Sequence, residues 1–303
     1  GSLTQTITGN GTPLNFYNLT KTASNNLALT ANNTPLTILN NLAIQTGTLT
    51  DNGNTISVKG DCYNDGTHVY GGLGNGIVMN GVQPQTLTGN GTFGKLTINN
   101  SHGVNVPVAN QFKITNALRM QAGIFNIGKN LLDLGLNCTI EQASPFSDIN
   151  MIETNISFTD NGVRKVFPAT ASPISFVYPV GCDGKYTPVT LNITANGNST
   201  GSITVKPANE IHPSIIEDTE TGVAIVDADN ALQYYWTMKT SGISAFSGTA
   251  KMKYLPSDIK FTAPYSINDY IPASLQNDGV GNWVKGNWSE VDKVNNELNF
   301  TFS

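Results

Sequence analysis

Between residues 87 and 135, pairs of apolar residues come round at Leu96/Ile98, Ile114/Leu118 and Leu132/Leu134, a spacing near 20 residues. A period of that length matches one coil of a β-solenoid, in which each coil buries its apolar face only by stacking on the next. A longer repeat lies over it. Thr8-Gly9-Asn10-Gly11-Thr12 returns as Thr88-Gly89-Asn90-Gly91-Thr92, and Gln5-Thr6-Ile7 as Gln85-Thr86-Leu87, both 80 positions on. Phe16, Leu19 and Thr20 match Phe93, Leu96 and Thr97 at 77, while Ile38, Asn40, Leu42, Gly47 and Asn54 match Ile114, Asn116, Leu118, Gly123 and Asn130 at 76. The drift reads as small loop deletions between fixed strands. Two copies of one unit of about 76 to 80 residues, each several coils long, are expected to fill residues 1–160.

Helical periodicity is nearly absent. Short β-rich runs bounded by Asn, Gly, Asp or Pro recur instead, as in Gly103-Val104-Asn105-Val106 and Ile124-Phe125-Asn126-Ile127. From about residue 160 the 20-residue rhythm stops, aromatic residues become denser, and Pro168, Pro173, Pro179 and Pro188 arrive. Strand-like runs at 174–180, 189–193, 202–206, 233–239, 248–254 and 298–302 suit antiparallel pairing. The expected fold is therefore all-β: a right-handed parallel β-helix over 1–160, followed by an antiparallel β-sandwich over 161–303.

Only 12% of the residues are charged, and 38 are Asn, so uncharged polar groups keep the chain in solution. At corners, Asn is suited to left-handed backbone and to bonding neighbouring peptide groups, and stacked corners are expected to form Asn ladders. The net charge of −5, with Lys and Arg scattered, supplies no basic stripe for nucleic acid. No apolar run is long enough to cross a membrane as a helix. Gly1-Ser2 reads as a cloning remnant, with any export signal expected outside this sequence.

Cys62, Cys138 and Cys182 are odd in number and lack C-x-x-C spacing, which argues against a disulfide framework or a zinc site. Cys62 and Cys138 stand 76 apart, at matching places in the two copies. Buried free thiols in a shared niche are expected, with a Cys62–Cys138 bridge as the alternative.

The block Val78-Met79-Asn80-Gly81, Gln85-Thr86-Leu87-Thr88-Gly89-Asn90-Gly91-Thr92-Phe93 and Leu96-Thr97-Ile98-Asn99-Asn100-Ser101 resembles the repeat of large surface and secreted proteins of Bacteroidetes, many exported by the type IX secretion system. Tyr178-Pro179-Val180-Gly181, Tyr186-Thr187-Pro188-Val189-Thr190-Leu191 and Tyr235-Trp236 look like the module that follows in such proteins. The resemblance implies an extracellular or cell-surface, adhesin-like protein and carries over no catalytic residue. No C-terminal sorting domain is recognisable, and the last residues, Leu298-Asn299-Phe300-Thr301-Phe302, are strand-like, so the chain is expected to be a piece of something longer.

Catalytic chemistry is sparse. His68, His102 and His212 lie far apart, and although Asp65 is near His68, no second His completes a ligand pair; all three read as solvated loop residues. Gly197-Asn198-Ser199-Thr200-Gly201 matches G-x-S-x-G, but strand-like runs flank it where a nucleophile elbow needs a following helix, so a hairpin loop is expected. Gly71-Gly72-Leu73-Gly74-Asn75-Gly76 lacks phosphate-loop spacing and reads as a mobile solenoid loop. The solenoid carboxylates Asp51, Asp61, Asp65, Asp133, Glu141, Asp148, Glu153 and Asp160 follow no coil period, which weakens the case for a β-helix polysaccharide-active enzyme. Thr-x-Thr does not recur from coil to coil either, Lys113-Ile114-Thr115 standing against Leu131-Leu132-Asp133, which argues against an ice-binding face.

Acidic residues gather at Glu210, Glu217-Asp218, Glu220 and Asp227-Ala228-Asp229-Asn230. They suit a solvated loop, with calcium as the alternative. Trp283 and Trp288 suit core packing, with stacking on sugar rings as the alternative. The expectation is a non-catalytic structural or adhesive segment with no catalytic residues and no obligate cofactor, whose partners are surface glycans or other cell-surface proteins. A carbohydrate-binding or calcium-dependent module comes next.

Overall fold

The computed structural model describes residues 3–31, 33–107, 110–155, 161–169, 172–197, 200–215, 228–243, 246–275, 283–286 and 290–302. The chain divides into two compact units, residues 1–155 with 159–166, and residues 156–158 with 167–303.

The first unit is a parallel β-solenoid of about seven turns with three sides. Leu14–Phe16, Leu36–Ile38, Ile56–Val58 and Ile77–Met79 stack on the second side, each pairing in parallel with the next. Two long strands, Thr92–Asn99 and Gln111–Ala122, each run through the first side and into the second, with register shifts where they turn. The third side carries Leu19–Lys21, Leu42–Ile44 and Cys62–Asn64, then continues to Phe125–Gly128 and Ile152–Thr154.

Alternation within these short strands decides what is buried. On the second side Leu36, Ile56, Ile77, Leu96 and Leu118 form one inward row, and Ile38, Val58, Met79, Ile98 and Met120 form another. All ten are 0–1% exposed. Burying such a side chain is worth about 1.5–3 kcal/mol, and successive coils supply the area that one coil cannot.

The long sequence repeat is out of phase with the coils. Ile38 lies on the second side, whereas its match Ile114 pairs with Leu134 on the first. Gln5–Ile7 lies on the first side and pairs with Leu27–Leu29, whereas Gln85–Thr88 lies on the third, beside Cys62 and Val104. The two copies are thus displaced by one side of the coil. The three sides are chemically alike, each a short strand with inward apolar residues between Gly/Asn corners, so one motif fits any of them.

Cys62 is therefore on the third side and Cys138 leads into the second-side strand Thr139–Gln142. Both thiols are free and buried, so Cys62 and Cys138 are not bridged, and Cys182 is buried and outside any disulfide.

Asn works at the corners through its side chain more than through its backbone. Left-handed corners belong mostly to glycine, such as Gly47, Gly89 and Gly123, and among the described solenoid residues Asn52 alone of the asparagines takes positive φ. At Gly123 an added Cβ would lie 1.8 Å from the Asn100 carbonyl oxygen, so a side chain is excluded by space as well as by φ. The expected ladders are largely side chain to backbone. Asn18 Oδ1 accepts from Asn41 N, Asn41 Oδ1 from Asp61 N, and Asp61 Oδ1 from Thr86 N, at 3.0, 2.8 and 2.7 Å. Each link ties one coil to the next.

The second unit is antiparallel. Ile174–Tyr178, Val189–Asn196, Phe246–Lys253, Glu297–Phe302 and Val291–Asp292 form a five-stranded sheet in that order. Gly201–Ala208 pairs with Tyr235–Ser241 in another layer. Tyr178, fully buried, crosses between them by donating its hydroxyl to the Ile203 carbonyl at 2.9 Å. Leu191, Ile193, Ile203, Val205 and Ala250 are buried with it. The strands that flank Gly197–Gly201 pair with other strands and not as the two arms of the expected hairpin. They belong to different layers, and Asn198 and Ser199 lie outside the described residues.

Candidate functional site

Among the described residues, chemistry-bearing side chains gather in four places. The first is inside the solenoid. His68 occupies an inward position in Thr67–Val69, in register with Leu49, and Asp51 follows Thr48–Thr50 on the coil before. Their side chains are fully buried, with His68 Nε2 3.0 Å from Asp51 Oδ2. Asp51 Oδ1 also accepts from Gly53 N and Gly71 N, at 2.9 and 2.7 Å. His68 is thus a core residue and not a solvated loop histidine, and its carboxylate partner is Asp51, not Asp65. His102 is exposed, as expected.

The glycine-rich loop that begins at Gly71 is held down. Asn75 N donates to Thr55 Oγ1 at 3.1 Å, and a Cβ on Gly71 would meet Gly53 N at 2.2 Å. The two ends of the loop pack against the preceding coil, while Leu73 in its middle is exposed. The loop also helps to cover Thr97, whose hydroxyl donates to the Asn75 carbonyl.

The second cluster lies on the outer face of the second side. Glu141 is 3.0 Å from Lys95 Nζ and 3.5 Å from Arg119 Nη1, and the Lys95 amine sits 5.3 Å from the centre of the Tyr70 ring. On the first side Asp133 and Arg164 are paired in register and joined by two hydrogen bonds, of 2.9 and 3.3 Å. Glu153 accepts from Asn126 at 2.9 Å, and Asp65 Oδ1 from Asn90 N at 2.7 Å. Asp148 is exposed, and Asp160 lies outside the described residues.

The third cluster, in the second unit, was invisible in the sequence. Asp183-Gly184, both with positive φ, make the tight turn between Val180–Cys182 and Lys185–Tyr186. Lys185 Nζ contacts Asp258 Oδ1 and lies 2.6 Å from Asn209 Oδ1, while Asn209 Nδ2 donates to Asp183 Oδ2 at 2.7 Å. Asp258 is 1% exposed, and its Oδ2 has no hydrogen-bond partner. Beside them the buried Tyr234 hydroxyl meets Thr187 Oγ1 at 2.6 Å. Burial pushes the Tyr234 phenol well above its ordinary range. Nothing in spacings of 24 and 73 residues marks these groups as neighbours.

The fourth is a ring cluster. His212 packs edge-to-face with Tyr235 and Trp283, with ring centres 4.7 and 5.1 Å apart, and Tyr235 donates its hydroxyl to Glu210 at 3.2 Å. Burial lowers the His212 pKa from its ordinary value, and Glu210 opposes that shift. His212 lies on a loop, as expected, but is half-buried against these rings. Trp288, Glu217, Asp218, Glu220 and Asp227 lie outside the described residues; Asp229 pairs with Lys260.

Among the described residues no three His, Cys, Asp or Glu side chains are gathered as metal ligands would be, and no helix is long and apolar enough to cross a membrane. Comparison of the chain with protein-family models, with curated proteins and with solved structures returns no match.

Proposed function

We propose that this chain is a non-catalytic structural and adhesive segment of a larger extracellular or surface-exposed bacterial protein, with the solenoid as a rigid spacer and the sandwich as a connecting or terminal module. One observation carries this reading: six of the solenoid carboxylates tie neighbouring coils together. Asp51, Asp61, Asp65, Asp133, Glu141 and Glu153 each accept hydrogen bonds from neighbouring protein groups. A general acid or base needs a carboxyl within reach of substrate. The resemblance to Bacteroidetes surface repeats points the same way and suggests type IX export.

A second reading, a carbohydrate-binding module, is favoured by the Tyr235–His212–Trp283 rings beside Glu210, because aromatic faces next to a carboxylate suit a sugar ring and its hydroxyls. Assays on polysaccharides, esters and peptides, run beside a glycan array with and without calcium, separate the readings. The spacer reading expects no turnover and no single preferred sugar class. Turnover abolished by Asp133→Asn would overturn it in favour of an enzyme. Calcium-independent binding to one sugar class, lost in Trp283→Ala, would replace it with the module.

A further inference from the structure

We propose that Lys185 and Asn209 join in an intrachain isopeptide bond, formed by the protein itself with Asp258 as the catalytic base. The inference goes beyond the spacer reading and does not depend on it. Three segments distant in sequence deliver an amine, a carboxamide and a buried carboxylate to one point. Lys185 comes from the Lys185–Tyr186 strand, Asn209 from just past Gly201–Ala208, and Asp258 from the short helical turn Pro256–Asp258.

The contacts bring the reacting groups side by side. The carboxamide presents Oδ1 to Lys185 Nζ at 2.6 Å, so the electrophilic Cγ lies one bond beyond that contact. Asp183 Oδ2 holds the carboxamide nitrogen on the opposite side, at 2.7 Å, and so acts as a positioning residue for the leaving group. Asp258 is nearly inaccessible to water, with one oxygen on the amine and the other unpartnered. The Tyr234 ring, its centre 5.8 Å from Nζ, walls the amine on another side.

The step balances without a co-reactant. Asp258 takes one proton from the Lys185 ammonium. The freed amine attacks Asn209 Cγ, forming the new C–N bond. A second amine proton passes to Nδ2, the Cγ–Nδ2 bond breaks, and ammonia leaves. The third proton stays on the new amide nitrogen, Asp258 ends protonated, and a buried ion pair is exchanged for neutral groups. Holding amine and carboxamide in contact supplies the effective concentration that makes an otherwise slow aminolysis proceed.

Intact-mass measurement of the denatured full chain tests this. The expected mass is lower than the sequence mass by one ammonia, with a branched peptide linking Lys185 to Asn209 after digestion. Asn209→Ala and Lys185→Arg should each restore the full mass of the variant sequence. Asp258→Ala should do so while both reacting side chains remain, and a circular dichroism melt checks that it folds. A wild-type mass equal to the sequence mass after prolonged incubation would overturn the proposal, as would loss of ammonia that persists in Asn209→Ala. Loss of water mapped to Lys185 and Asp258 would also overturn it, by making Asp258 the electrophile.

Discussion

Single residues in this chain act mainly as ties between coils. Asn54 shows how: its carboxamide donates to the Thr30 and Asp51 carbonyls and accepts from Thr34 N, which satisfies three backbone groups near a buried corner. Truncation removes all three bonds, and of these groups the Asp51 carbonyl keeps its bond from the Asn54 backbone N–H, at 3.0 Å. Asn54→Ala is expected to cost about 1–3 kcal/mol, while Asn33→Ala, at an exposed site, should stay within about 0.5 kcal/mol, both read from denaturant unfolding. Cysteine is the second case. Burial pushes the Cys62 and Cys138 thiols up to about 12, so the reactive thiolate is scarce at neutral pH and hidden from reagents as well. Neither should be modified by a thiol reagent at pH 8 in the folded protein, and both should react once it is denatured. Rapid labelling of native Cys62, mapped by mass spectrometry, would contradict the buried position.

For individual strands and corners, the pattern of inward residues was legible from sequence because it repeats. Leu96/Ile98 and Ile114/Leu118 are all in the core, at the spacing that marked them. Phase was not legible, since Ile38 and Ile114 match in sequence yet lie on different sides, and only strand pairing distinguishes sides whose chemistry is the same. The sites were hidden for a related reason. His68 meets Asp51 through the coil step and Lys185 meets Asp258 through layer packing, so neither pair is near in sequence. Ring packing by the Trp283–Lys285 strand also carries a pH prediction. The His212 pKa is depressed below 6.5 by burial, so the folded state binds its proton less readily than the unfolded chain does. That contribution to stability is complete above the unfolded value and is lost as pH falls toward the folded one. A wild-type melting temperature that falls between pH 7 and 5.5 by more than that of His212→Phe would bear this out. Identical slopes would show that the ring does not titrate with folding.

At the scale of the molecule, stability in the solenoid is cooperative between neighbours, because each coil is finished by the next one. Ile77 and Met79 are fully buried with Ile56 and Val58 on one flank and Leu96 and Ile98 on the other. Cutting the chain at residue 80 removes the second flank. It strips the hydrogen-bond partners from one edge of Ile77–Met79 and takes Leu87, in register with Cys62, from the third side. The conformational entropy of the remaining coils, about 1–2 kcal/mol per residue for the backbone alone, stays to be offset by a shorter stack with a newly opened end. Residues 1–80 are therefore expected to show no cooperative thermal transition and to associate through the exposed edge, although they contain one full copy of the sequence repeat. Residues 1–166 should melt in a single sharp transition by circular dichroism. A reversible, sharp melt of the 1–80 fragment would mean that a repeat copy is an independent folding unit, and would turn the one-side displacement between copies from a consequence of interchangeable sides into a boundary between two domains.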